Sequence, residues 1–147
     1  MTIMTKELNQ LSISLLQELQ TSGAGYDVLR YISLPKLLGT EASTLLYFMG
    51  KDLARSFDIQ SYQDIYEIAT QLGWGKMELV KEKKHSLTFT LMADAVVYRL
   101  NAPINVDFRL EAGFLAKAVS MIKGKEYECS EKINKKIYQV EFKVVST

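Results

Sequence analysis

The sequence predicts an α+β fold: a layer of about five helices packed on one face of a four-stranded antiparallel sheet made of two hairpins. Three observations predict it. Apolar residues recur at helical spacing from Leu8 to Leu72; the period becomes twofold after Trp74-Gly75 and again from Tyr127; and a strongly helical run, Phe108 to Lys123, separates the two twofold stretches.

Leu8, Leu11, Leu15 and Leu19 form one stripe of a first helix that stops near Thr21-Ser22-Gly23-Ala24-Gly25. A second helix starts near Tyr26-Asp27 and turns Leu29 and Ile32 inward, until Pro35 biases Leu34 away from helical geometry and bends or ends it; Gly39 closes the connection. Thr40 is placed to cap a third helix, in which Leu45, Met49, Leu53 and Phe57 follow the helical period, Lys51 and Arg55 turn toward the edge or solvent, and Gly50 implies close packing. Ser61-Tyr62-Gln63-Asp64 has the form of a capping box and opens a fourth helix through Ile65, Ile68 and Leu72, capped by Gly73.

Met77 and Leu79, then Leu87, Phe89 and Leu91, alternate as a hairpin across a charged turn. Asp94 to Leu100 reads equally as a short helix or a bend, ended by Asn101-Ala102-Pro103. After the Phe108–Lys123 helix and Gly124, Tyr127 and Cys129 lie on one strand, and Tyr138, Val140, Phe142 and Val144 alternate with polar residues on its partner.

A chain of 147 residues fits one domain over 1–147, and its 48% apolar and 24% charged residues match an ordinary globule. With 18 basic against 17 acidic side chains, no broad field draws in nucleic acid, and the short clusters Lys81 to His85 and Lys132 to Lys136 lack interleaved aromatics. The apolar runs are too short to span a bilayer. Cys129 has no partner for a bridge and the N-terminus lacks the blocks of an export signal, which together point to the cytoplasm.

Four blocks, Leu34-Pro35-Lys36-Leu37-Leu38-Gly39, Gly50-Lys51-Asp52-Leu53-Ala54-Arg55-Ser56-Phe57, Gly73-Trp74-Gly75 and Leu110-Glu111-Ala112-Gly113-Phe114-Leu115-Ala116, resemble in order and spacing the YslB-like family of uncharacterised proteins from Gram-positive bacteria. Through that family the chain is distantly similar to 4-vinyl-reductase-type domains, which share a fold with haem-containing nitric oxide sensors and a Golgi transport subunit. The matching tail is Gly113-Phe114-Leu115-Ala116, Gly124 and Glu126-Tyr127-Glu128. The resemblance implies a homodimeric binder of a small apolar or acyl ligand. Where such tails often carry two cysteines this chain has Asn134 and Gln139, so no thiol or metal chemistry is carried over.

No nucleophile–base pair, metal cluster or cofactor fingerprint is found, so the chain is read as a non-enzymatic domain with no cofactor. Glu111 falls within about forty degrees of Leu115, Ala118 and Ile122 on its helix, placing a carboxylate on the core face. It must be compensated by first-turn amides, by a cation such as Arg55, or by a pocket wall; structural pairing is favoured over the pocket and over catalysis. Pairing with Arg55 would make Glu111→Gln destabilising. Trp74 either closes the core or lines a cleft, with the core favoured. Glu111, Trp74, Arg55 and Phe114 are the candidate pocket residues.

The only histidine, His85, sits at a hairpin tip, where exposure is expected rather than haem ligation. Cys129 reads as a small buried hydrophobe. The leading reading is a ligand-binding domain with an apolar cleft between helices and sheet. The alternative is an interaction or dimerisation module without a cavity, presenting Leu16, Leu19, Tyr31 and Ile32.

Overall fold

The computed structural model describes residues 11–19 and 23–147; Leu8 and the Thr21-Ser22 end of the expected first helix lie outside them. The helices are α1 (Ile13–Glu18), α2 (Gly25–Val28), α3 (Leu34–Leu38), α4 (Ala42–Arg55), α5 (Tyr62–Gln71), α6 (Asp94–Asn101) and α7 (Arg109–Lys123); the strands are β1 (Lys76–Glu82), β2 (Ser86–Met92), β3 (Tyr127–Asn134) and β4 (Gln139–Ser146). All pairings are antiparallel and the order is β1-β2-β4-β3, so the two hairpins join through β2 and β4, with Phe89 opposite Phe142.

The layers follow from which residues can be buried. Leu87, Phe89 and Leu91 on β2 and Val140, Phe142 and Val144 on β4 face the helices, while Glu78, Lys143 and Ser130 alternate outward. Helix α7 lies on that apolar face and is itself covered by α4, so ten of its residues are buried and its sequence is apolar on nearly every side. The crossing of α4 on α7 depends on two glycines. A Cβ on Gly50 would stand 2.0 Å from the Leu110 carbonyl oxygen, and one on Gly113 would stand 1.8 Å from that of Tyr47.

This crossing corrects the third-helix expectation. The face of α4 that meets α7 carries Tyr47, Gly50 and Ala54, because only small residues let the backbones approach; Leu45 and Met49 are consequently 44% exposed. Thr40 does not cap α4 either: Gly39–Glu41 form a 3-10 turn and Glu41 precedes the helix. Lys51 is mostly covered, paired with Glu128 at 2.7 Å, whereas Arg55 is in solvent.

The second helix is also inverted relative to expectation. Between α2 and α3 the chain forms a π-helical stretch, Leu29–Ser33, in which the amide of Leu34 bonds to the Leu29 carbonyl five residues back. Pro35, with no N–H to give, sits at the start of α3 and does not end the run. Arg30 and Tyr31 are buried, while Leu29 and Ile32 are 55% and 47% exposed. On α1, Leu16 is the buried residue and Leu19 is exposed, so the stripe lies one residue away from that expected.

The remaining elements agree with the pattern. The Ser61–Asp64 capping box is complete in both directions, the ambiguous 94–100 region is helical, and Gly124 closes α7. Tyr138 belongs to the β3–β4 turn at φ +49° and not to the strand. Cys129 is buried, and its amide, on the outer edge of β3, donates to the Tyr47 hydroxyl at 2.9 Å. No helix among the described residues is long and apolar enough to cross a membrane.

Candidate functional site

Phe114, at the centre of α7, meets Trp74 edge-on at 5.3 Å between ring centroids and Phe57 at 6.5 Å, and all three are buried. The polar chemistry lies one helical turn away, at the N-terminal end of α7 beneath the α2–α3 segment.

Glu111 occupies the first turn of α7 and is 1% exposed. Its partner is Arg30, not Arg55: the Arg30 Nη2 stands 3.5 Å from Glu111 Oε1, while Arg55 is 54% exposed and 3.6 Å from Asp52. Arg30 reaches this position because the π-helical stretch aims it at the loop before α7. There its two Nη atoms meet the Asp107 carboxylate at 2.9 and 3.3 Å. Asp107 also accepts the Arg109 amide at 3.0 Å, so one carboxylate both anchors Arg30 and satisfies a free amide at the start of α7.

Around this pair stand Tyr31, Tyr26 and Arg99. Arg99 on α6 bonds Asp27 at 2.8 Å and lies 5.5 and 5.8 Å from the Tyr26 and Tyr31 ring centres. Glu111 and Phe114 lie three residues apart on α7 and Phe114 meets Trp74, whereas Arg55 is not among them.

The cluster holds Arg30, Arg99, Asp27, Asp107 and Glu111, one acid more than its bases. Burial pushes the Glu111 carboxyl up to about 7, against the pull of Arg30, of its own backbone amide and of Arg99, with Asp107 adding to the rise. Asp107 instead stays below the usual range, its own burial being outweighed by the Arg30 hydrogen bonds and the Arg109 amide. Burial and then the Glu111 charge raise both Tyr31 and Tyr26, so both phenols are protonated at neutral pH.

Three buried atoms of this cluster have no hydrogen-bond partner: Glu111 Oε2, Arg30 Nε and the Tyr31 hydroxyl. Together they offer a carboxyl that can accept or give a proton near neutrality, a fixed donor, and a hydroxyl able to do either. Tyr31 also forms one wall of an open cleft of about 640 Å³, completed by Ile32 and by Ala102, Pro103, Ile104 and Asn105.

The other sequence candidates lie elsewhere. His85 is exposed on the β1–β2 turn, 3.4 Å from the Ser146 hydroxyl. Burial, and then the Glu131 charge, raise the Cys129 thiol well above its ordinary value and leave it a poor nucleophile. No group of three or more His, Cys, Asp or Glu side chains suited to a metal ion occurs among the described residues.

Sequence reasoning missed Arg30, Asp107, Tyr31, Asp27 and Arg99. One signal was available: Arg30 is the single charge in the otherwise apolar run Val28-Leu29-Arg30-Tyr31-Ile32. A lone arginine there either breaks an apolar face or answers a buried acid.

Residues 23–145 match the model of a family described as a protein of unknown function, DUF2507. The chain is 32% identical over 131 residues to the uncharacterized protein YslB of Bacillus subtilis, covering 89% of this chain and 88% of that one. It is 22% identical over 117 residues to an uncharacterized protein of Methanocaldococcus jannaschii, covering 79% of this chain and 65% of that one. Among solved structures, a vinyl-4-reductase family protein from Methanocaldococcus jannaschii superimposes with a TM-score of 0.64 at 15% identity, covering 92% of this chain and 88% of that one, a likeness of fold.

Proposed function

The chain belongs to the DUF2507 family of unknown function, and from that premise we propose that it is a non-enzymatic binding domain for a small molecule with a hydrogen-bonding head and an apolar body. The single observation that carries this is the trio of unpartnered buried atoms, Glu111 Oε2, Arg30 Nε and the Tyr31 hydroxyl. Leaving such groups unpaired costs about 1–3 kcal/mol each, so the fold keeps them only where something satisfies them. The shared vinyl-4-reductase-type fold supports the same reading by analogy of architecture.

The proposed position is the N-terminal end of α7 beneath the α2–α3 segment, where the unpartnered atoms lie, rather than a cleft between helices and sheet. A ligand's head would sit among Glu111, Arg30 and Tyr31, and its body would pass Tyr31 into the cleft against Ile32, Pro103 and Ile104. A hydroxyl or amide head fits the donors and acceptors present: it gives a hydrogen to Glu111 and accepts one from Arg30 or Tyr31.

Dimerisation without a ligand is the second reading. It is favoured by Leu29, Ile32, Leu37, Leu45, Phe48 and Met49, which are exposed on the neighbouring segments α2–α3 and α4. Leu16 and Tyr31 contribute nothing to such a surface, since both are buried.

Native mass spectrometry of freshly purified protein tests both readings. A retained adduct of one small molecule per chain, lost in Tyr31→Phe, is the expected result. An unliganded dimer favours the second reading. An unliganded monomer whose crystal structure shows only ordered water on Glu111 Oε2 and Arg30 Nε overturns the first.

A further inference from the structure

The segment that roofs this cluster is attached unusually lightly. Neither α2 nor α3 buries a single residue, and the π-helical stretch between them buries only Arg30 and Tyr31. Both ends of the segment carry a glycine at positive φ, Gly23 at +115° and Gly39 at +67°, residues whose missing Cβ leaves backbone rotation least restricted. Between these glycines the attachments are charged: Arg30 to Asp107 and Glu111, and Asp27 to Arg99. A segment with few buried apolar contacts opens locally at far lower cost than the core beneath it.

We propose that residues 25–38 form a hinged lid over the buried Glu111 carboxyl, latched through Arg30 and Asp27, which closes when Glu111 holds a proton and loosens when it gives the proton up. As regulation of the binding site it rests on the reading above, but the movement itself can be tested on unliganded protein.

The sign is opposite to that of a simple salt-bridge latch. With the lid closed, Glu111 faces Arg30, Tyr31 and Tyr26 from the lid, Arg99 from α6, and Asp107 from the loop before α7. Two of these are cations, yet each already has a carboxylate of its own at 2.9 and 2.8 Å. Little attraction remains to offset the loss of hydration at Glu111, whose nearest cationic atom is 3.5 Å away. With the lid open the carboxylate meets water and returns to its ordinary range. The closed form therefore binds the proton more tightly, and acid closes the lid. Asp107 keeps its charge throughout this range, so Arg30 always has one anchor and the lid loosens without being cast off.

From the displacement of Glu111 from its ordinary 4.5 to about 7, the opening constant rises up to about tenfold per pH unit between about pH 5 and 7, and levels off above. Hydrogen exchange read by mass spectrometry on the full chain, corrected for the intrinsic effect of pH, measures this directly. Protection of residues 25–38 is expected to fall about fiftyfold from pH 5 to 7.5 while staying well below that of the β2 and β4 amides at every pH, so that the lid opens without global unfolding, and Glu111→Gln should abolish the dependence. Lid protection independent of pH, or an equal fall in Glu111→Gln, overturns the lid. Loss of the pH-dependent exchange leaves the ligand reading standing, and absence of a ligand adduct leaves the lid standing.

Discussion

Replacing Glu111 by glutamine removes one charge at nearly constant volume, and its effect on stability must change sign with pH. The carboxyl is 1% exposed and titrates near 7, against 4.5 as the ordinary value. A carboxyl whose folded value lies above its unfolded one binds its proton more tightly in the folded state, so the fold weakens as pH rises from about 4.5 to 7 and levels off beyond. At about 1.36 kcal/mol per unit, the wild type should lose about 2.5 kcal/mol between pH 5 and 8, or about 5–10 °C in Tm for a chain of this size. Glutamine has no such dependence, but its extra amide hydrogens arrive where Oε2 lacked a partner, at a roughly constant cost of about 1 kcal/mol. The variant should thus be less stable than wild type at about pH 4 and more stable at pH 8, the two profiles crossing near about pH 5. Urea unfolding at a series of pH values, followed by circular dichroism, measures it, with Arg55→Met as a control that keeps the wild-type profile because Arg55 is exposed. A wild-type profile flat from pH 5 to 8, or a glutamine profile parallel to it, refutes the burial account of Glu111.

Two further outcomes follow from the helix crossing and the sheet edge. Gly113→Ala places a Cβ 1.8 Å from the Tyr47 carbonyl oxygen and 2.7 Å from its carbon, so the α4–α7 pair must separate; a loss of at least about 3 kcal/mol is expected by thermal unfolding. Tyr47→Phe removes the acceptor of the Cys129 amide and the donor to Glu128, and a loss of about 1–3 kcal/mol is expected by urea unfolding, with the ring packing intact.

Much of the architecture was legible because two periodicities carry it. The alternation of Leu87, Phe89 and Leu91 and of Val140, Phe142 and Val144 placed the strands, and Ser61 with Asp64 placed the start of α5. The faces of α4 and of the α2–α3 segment were misread for physical reasons that a leucine count cannot carry. In α4 the buried face is the one that lets two backbones touch, so Gly50 and Ala54 outrank Leu45 and Met49. In the second segment the π-helical stretch shifts the register by a residue, turning Arg30 and Tyr31 inward in place of Leu29 and Ile32. Glu111 was recognisable from its angle on α7, but its partner lies 81 positions earlier, on an element whose facing side was misread. Long-range pairing of charges leaves no periodic trace, which is why Asp107, Asp27 and Arg99 escaped notice.

The phenol of Tyr47, seated against the border of β3, has a further effect. By occupying the Cys129 amide and holding Glu128 beside Lys51, it breaks the row of free backbone groups that an incoming strand would need. At the opposite border, β1 is irregular at Val80 and bears Lys76, Glu78 and Lys81. Both margins of the sheet are thus guarded against polymerisation into longer ribbons. A polypeptide that docks on this protein therefore meets its helices or the open face of its sheet, by side chains rather than by main-chain pairing.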